Sequence, residues 1–209
     1  MRVGEHGEGN PVRLASDCLI AASRESGDYI DPARISEFGE LKGKQSGESA
    51  VYYDAKTDIY TKVKNPFAKS ALKHTSPSDW LYEHIIHNIL FPESRYEFKG
   101  VTEELREVRL VLVQKGVSAV KRATDKQVES IMGRMGLTLE DRYFFGNEVL
   151  AVTDVGERGD NVLMADDGTI FFIDPLIRLK KPAKEVIAFL VGDIWEAEPD
   201  TKGGWSAGV

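Results

Sequence analysis

The sequence predicts an α+β fold: five strands with a helix inserted between the third and fourth, then a connector, a further helix and a small acidic hairpin. Three observations lead there. β-rich runs recur in pairs across short polar turns. The segments between those pairs carry apolar residues at helical spacing. The stretch 152–177, VTDVGERGDNVLMADDGTIFFIDPLI, sets five aspartates and an asparagine between two apolar runs.

Residues 1–10 read as a tail. Residues 11–24, PVRLASDCLIAASR, place Val12, Leu14, Leu19 and Ile20 at helical spacing and predict a helix. Asp31-Pro32 marks a helix start or turn. In SAVYYDAKTDIYTKVKN, the runs Ala50–Tyr53 and Asp58–Lys64 flank a polar link and predict a hairpin. SPSDWLYEHIIHNILFP opens with Ser and Asp capping candidates, continues with Trp80, Leu81, Ile85, Ile86 and Leu90, and stops at Pro92, as a helix would. Strands follow around Tyr96–Val101 and Glu107–Gln114. DKQVESIMGRMGL predicts a helix with Gly136 as its C-cap.

Tyr143–Phe145 and Val149–Val152 read as strands. Asn161–Met164 and Thr169–Ile173 form the arms of a hairpin, turning at Ala165-Asp166-Asp167-Gly168. Asp-Gly there supplies the positive φ of a primed turn. This arrangement brings Asn161 near Asp174 at the open end. AKEVIAFLVGDIW closes the chain as a short helix, and residues 198–209 read as a flexible tail. There is no internal repeat.

At 209 residues, 42% hydrophobic and 29% charged, the chain has the composition of one substantial globular domain or one domain built as two small lobes. A formal charge of −7 argues against a sequence-independent nucleic-acid binder, which needs a basic surface. The single cysteine, Cys18, rules out an internal disulfide framework and a cysteine-rich zinc site. No apolar run approaches the roughly 18–20 residues of a membrane span. The N-terminus carries acids and glycines where a signal peptide would be apolar, so a cytoplasmic protein is expected.

Several constellations carry chemistry. Gly43 to Val51, GKQSGESAV, is a small-residue bend before a hairpin, where backbone amides can approach phosphate oxygens; by itself it is also simply a flexible loop. Lys62 and Lys64 alternate with Val63, so both point to one face of their strand, usually an edge or solvated face. Glu83 borders the apolar face of its helix. His84 and His87 share a helix face, yet no third ligand lies near them in sequence. Asn161 and Asp174 together offer an amide and a carboxylate, the hard oxygen donors that magnesium prefers; by themselves they fit equally an ordinary hairpin whose solvated tip is acidic.

Glycine bend, strand lysine, helical glutamate, two strands, a connector, then Asn161 and Asp174 follow one another in the order of the working parts of protein kinases. DNVLMADDGTIFFIDP resembles the catalytic-loop and metal-loop hairpin of small kinase-like proteins. The run from Gly43 to Pro182 resembles the Ser/Thr/Tyr kinase-like domain found in phage and mobile-element polyvalent proteins. It is also distantly similar to aminoglycoside phosphotransferases.

That resemblance implies a compact two-lobed kinase-like fold with a minimal C-lobe. Residues 1–42 would be a tail and helix, 43–115 an N-lobe, and 116–209 a reduced C-lobe. It implies ATP and magnesium, with Asn161 and Asp174 as metal ligands. Lys62, with Lys64 as fallback, matches the phosphate-binding lysine, and Glu83 its helix partner. Gly43 and Gly47 would lie along the nucleotide, and Val113 to Gly116, including Lys115, beside the adenine. The partners implied are a nucleotide and a phosphoryl acceptor, protein or small molecule.

Two departures stand out. The kinase pattern D-x-x-x-x-N puts the catalytic aspartate at Gly156, whereas Asp154 stands two positions earlier. Asp154 is the candidate base if the Glu157-Arg158-Gly159 stretch bulges the loop; otherwise the chain is a pseudokinase or nucleotide-binding module. About thirty-five residues follow Asp174, too few for the usual substrate platform.

Overall fold

The computed structural model describes residues 11–45, 49–67, 77–117, 121–156 and 161–196. The expected tails, Gly47 of the glycine-rich bend, Asp160, and the capping side chains ahead of Trp80 lie outside them. The described elements run α1 (Pro11–Ser26), β1 (Glu40–Gln45), β2 (Ser49–Asp54), β3 (Ile59–Lys64), α2 (Pro77–Leu90), β4 (Tyr96–Glu104) and β5 (Glu107–Lys115). There follow β6 (Lys121–Arg122), α3 (Asp125–Arg134), β7 (Thr138–Asp141), β8 (Phe144–Gly146) and β9 (Leu150–Thr153). The hairpin β10 (Val162–Met164) and β11 (Ile170–Phe172), then β12 (Leu176–Leu179) and α4 (Ala183–Glu196), complete an α+β chain. Contacts divide it into two units, Met1–Pro77 with Glu97–Gly116, and Ser78–Tyr96 with Val117–Val209.

The first unit is a five-stranded sheet in the order β1-β2-β3-β5-β4. Its most buried strand is β5, whose VRLVLVQ run is buried throughout, because a strand covered on both faces needs no alternation. β4 and β5 are joined by Leu105 and Arg106, both at positive φ (52° and 63°), the signature of a two-residue primed turn. Helix α1 packs against β5. It is tied to β4 where Arg24 Nη2 and the Tyr29 hydroxyl both donate to Glu103 Oε1, at 3.1 and 2.8 Å.

The sheet corrects two expectations. The glycine-rich bend begins as strand: Gly43 lies in β1 opposite Val51, with a bulge between Leu41 and Gly43. Glu40, Leu41 and Lys42 are all exposed, so no buried face marks that strand. β3 is not an edge. Lys62 sits between Val51 of β2 and Leu112 of β5, and is 6% exposed.

The second unit holds the larger apolar core. Ile86, Leu90 and Phe91 from the α2 region pack with Val128, Ile131 and Met132 of α3, and with Leu150, Val152, Phe172 and Val186. α2 therefore belongs with this unit rather than with residues 43–115, because its apolar face is buried there. Helix α3 begins in a capping box between Thr124 and Gln127. It ends with Gly136 N–H on Gly133 O and Leu137 N–H on Met132 O, a Schellman closure. Two sheets accompany the helices, β11-β10-β6 and β12-β9-β8-β7. β7 and β12 were not expected. Both are four residues long; β7 is exposed along its whole length, and the mostly apolar Leu176–Leu179 gives no polar alternation in sequence.

The acidic hairpin pairs Val162 with Phe172 and Met164 with Ile170. Its turn differs from the primed one expected. Gly168 N–H donates to Ala165 O (3.1 Å) and Gly168 alone in the turn has positive φ, 87°. That is an ordinary turn over Asp166-Asp167 followed by a left-handed glycine, the three-residue alternative.

Candidate functional site

The strand β9 is anchored by Leu150, Ala151 and Val152, all fully buried. At its end the chain turns sharply: Asp154 is exposed and left-handed, φ 62°, and Val155 dives back into the core at 1% exposure. A non-glycine residue in that region is uncommon and costs about 1 kcal/mol or more. Gly156 follows, and a Cβ there would lie 2.0 Å from the Tyr143 ring, so the ring's place requires glycine. Tyr143 is itself left-handed, φ 61°. Two strained residues thus shape one loop.

The loop returns at Asn161. Its Nδ2 donates to Asp154 Oδ2 at 2.7 Å and to Asp154 O at 3.1 Å. The carboxylate and amide meet although seven residues separate them, rather than the five of the kinase pattern. With Nδ2 turned to Asp154, Oδ1 is the Asn161 atom left to face a cation.

Asp174 comes to the same neighbourhood by register. Ile173 N–H donates to Asn161 O at 2.8 Å. The β9–β12 ladder then ends at Thr153 opposite Leu176, one residue from Asp154 and two from Asp174. Residues 173–176 therefore run past both ends of the Asp154 loop. Below Asp174 the strand is held by side chains that sequence reading did not select. His87 Nε2 donates to Phe172 O (3.0 Å), and Ser94 Oγ donates to the same oxygen (2.7 Å). The Tyr96 hydroxyl reaches Ile173 O, and Asp174 Oδ1 at 3.2 Å.

The histidine pair has structural work instead of a metal. His84 Nδ1 meets Trp80 O at 2.8 Å and His87 meets Phe172 O; carbonyl oxygens only accept, so both ring nitrogens carry protons. Among the described residues no three His, Cys, Asp or Glu side chains cluster as a metal site. Magnesium does not need such a cluster, because it keeps several waters and takes one or two protein carboxylates beside phosphate oxygens. Asn161 Oδ1 and the Asp174 carboxylate are donors of that kind.

In the first unit, Lys62 is buried while Lys64 is half-buried, and Val113 is buried on β5 with Lys115 exposed at its end. Gly43 has nothing within 4 Å of where a Cβ would stand, so the fold itself does not demand glycine there. Gly116 N–H, counted among the candidate adenine contacts, already donates to Asp58 O at 2.7 Å. Glu83 stands half-buried on α2 in the second unit. Among the described residues no helix is long and apolar enough to cross a membrane.

The chain is thus an α+β protein in which an Asp154–Asn161 pair closes a loop next to the segment that carries Asp174. The model of the serine/threonine/tyrosine kinases found in polyvalent proteins matches residues 15–181, and the chain belongs to that family. No curated protein and no solved structure matches it significantly.

Proposed function

We propose that this protein is a magnesium-ATP-dependent phosphotransferase with a compact two-lobed kinase-like fold and a reduced C-lobe, acting on a hydroxyl-bearing protein or small molecule. The family supports a kinase-like activity. Support for the fold comes from the first unit's strand order and from α2 standing between β3 and β4 in sequence.

The observation that carries the active reading is the 2.7 Å contact between Asn161 and Asp154. The two extra loop residues do not separate the pair. Asp154 is the proposed base: it takes the acceptor hydroxyl's proton while that oxygen bonds to the γ-phosphorus and the bond to the bridging oxygen breaks, leaving ADP. Asn161 holds the base in place. Asn161 Oδ1 and Asp174 are the proposed ligands of magnesium, which when bound neutralises phosphate charge. Lys62 is the proposed phosphate ligand and Glu83 its partner. A buried ammonium persists only where an anion compensates it, which supports Lys62 over Lys64. Gly43, Gly47, Val113 and Lys115 are the proposed nucleotide-side positions, through their backbone.

Two measurements test this. Magnesium-ATP should raise the melting temperature, since a ligand that binds only the folded state stabilises it by mass action, and Asp174→Ala should remove the rise. Labelled γ-phosphate should pass to the protein itself, to added proteins or to small hydroxylated acceptors. Nucleotide binding without any transfer would leave a nucleotide-binding module in place of an enzyme; no thermal response at millimolar nucleotide would end the kinase reading.

A further inference from the structure

We propose that Tyr96 is the positioning residue of the Asp174 carboxylate, an inference that rests on the magnesium-nucleotide reading of that site. The Tyr96 ring is buried, packed edge-on to His84 (centroids 5.1 Å apart) and tilted against His87 (4.8 Å). A ring so enclosed has little freedom, and its hydroxyl is delivered to one place. There it meets two acceptors on consecutive residues, Ile173 O and Asp174 Oδ1, the latter at 3.2 Å.

A phenol has one proton, and these acceptors share it. The carbonyl contact fixes the peptide plane that leads into Asp174, and the carboxylate contact fixes Oδ1. Backbone and side chain of one residue are thus set by one hydroxyl, leaving Oδ2 as the oxygen that Tyr96 does not engage.

Tyr96 is fixed in turn. Asn88 Nδ2 donates to Tyr96 O and Tyr96 N–H donates to Asn88 Oδ1, both at 2.7 Å. The connection runs from α2 through this reciprocal pair to the carboxylate, beside the parallel bond from His87 to Phe172 O. Magnesium demands near-octahedral geometry at short distances, so a fixed carboxylate matters more to the cation than to the nucleotide. Partners of a metal-ligating carboxylate commonly change metal affinity by tenfold or more when removed.

Tyr96→Phe keeps the ring and its packing and removes the proton. ATP binding should be followed by fluorescence while magnesium chloride is titrated. The half-saturating magnesium concentration is expected to rise roughly tenfold, with ATP binding in the absence of divalent cation unchanged. Ser94→Ala serves as the comparison, because it removes a hydroxyl bond to the same strand that does not reach Asp174; its magnesium requirement is expected to match the parent's. An unchanged requirement in Tyr96→Phe overturns the positioning role. So does an equal rise in Ser94→Ala, which would assign the effect to general support of β11. A parent protein whose ATP binding ignores magnesium overturns the underlying reading instead.

Discussion

Two aspartate-bearing bends lie on either side of β10, and they use their carboxylates in opposite ways. At the hairpin tip, Asp167 accepts from Thr169 N–H at 2.9 Å, two residues away. That backbone bond, first among its causes, holds the carboxyl below its usual range. The tip is closed on itself, and its acid serves the turn. On the other side, Asp154 takes its partner from a side chain seven residues on, at the cost of a left-handed backbone. Both bends carry acids. What separates them is how far away the carboxylate finds its partner, two residues along in one bend and seven in the other.

The strongest way to break this contrast is Asp154→Asn. If the group is a base, turnover should fall by about 10²–10⁴-fold while the affinity for magnesium-ATP stays within a few-fold, as expected for a group acting mainly in the transition state. Steady-state transfer and equilibrium binding, measured on the same preparation, separate the two. A parallel loss in Asp167→Ala would erase the distinction between the bends.

Next in size is the loop itself. Gly156→Ala drives a methyl into the Tyr143 ring, and overpacking of this kind costs roughly 1–3 kcal/mol. Urea unfolding should show that loss. Pairing the change with Tyr143→Gly, which also relieves the left-handed backbone at 143, should recover part of it. If Gly156→Ala is neutral, the ring does not shape the loop.

The smallest effect belongs to Asp167→Ala, which should alter activity hardly at all and the melting temperature only at the edge of resolution. Its sign with pH is still informative. A carboxyl lowered in the folded state stabilises above its unfolded pKa, near 3.9, and that contribution disappears as pH falls through the lower folded value. The gap between parent and variant should therefore close in acid. A gap that widens there would mean the turn depends on something other than the ionised side chain.

Much of the fold was legible because its helices carry apolar residues at helical spacing and its hairpins are β-rich runs joined by turn residues. The hairpins at β2–β3, β4–β5 and β10–β11 and the helices α1, α3 and α4 were all expected from these signals and are all present. β1, β7 and β12 escaped because they are polar, exposed or short, and owe their existence to a neighbouring strand rather than to their own pattern. The site divides in the same manner. The nearness of Asn161 to Asp174 was readable because a hairpin fixes their relation locally. The roles of Tyr96, Ser94 and His87 were not, since each acts on a strand some eighty residues later and nothing in their own surroundings marks it. His87 was set aside as a metal ligand for want of a third donor, and its partner is a carbonyl eighty-five residues later.

The ring of Tyr143 against Gly156 also limits the order in which this sequence can drift. Position 156 is closed to any side chain for as long as the tyrosine stays, so a lineage that alters both must alter 143 first. A saturation library of the two positions should then be lopsided: functional doubles reached through a change at 143, and almost none reached through 156. The pair behaves as a one-way latch in sequence space.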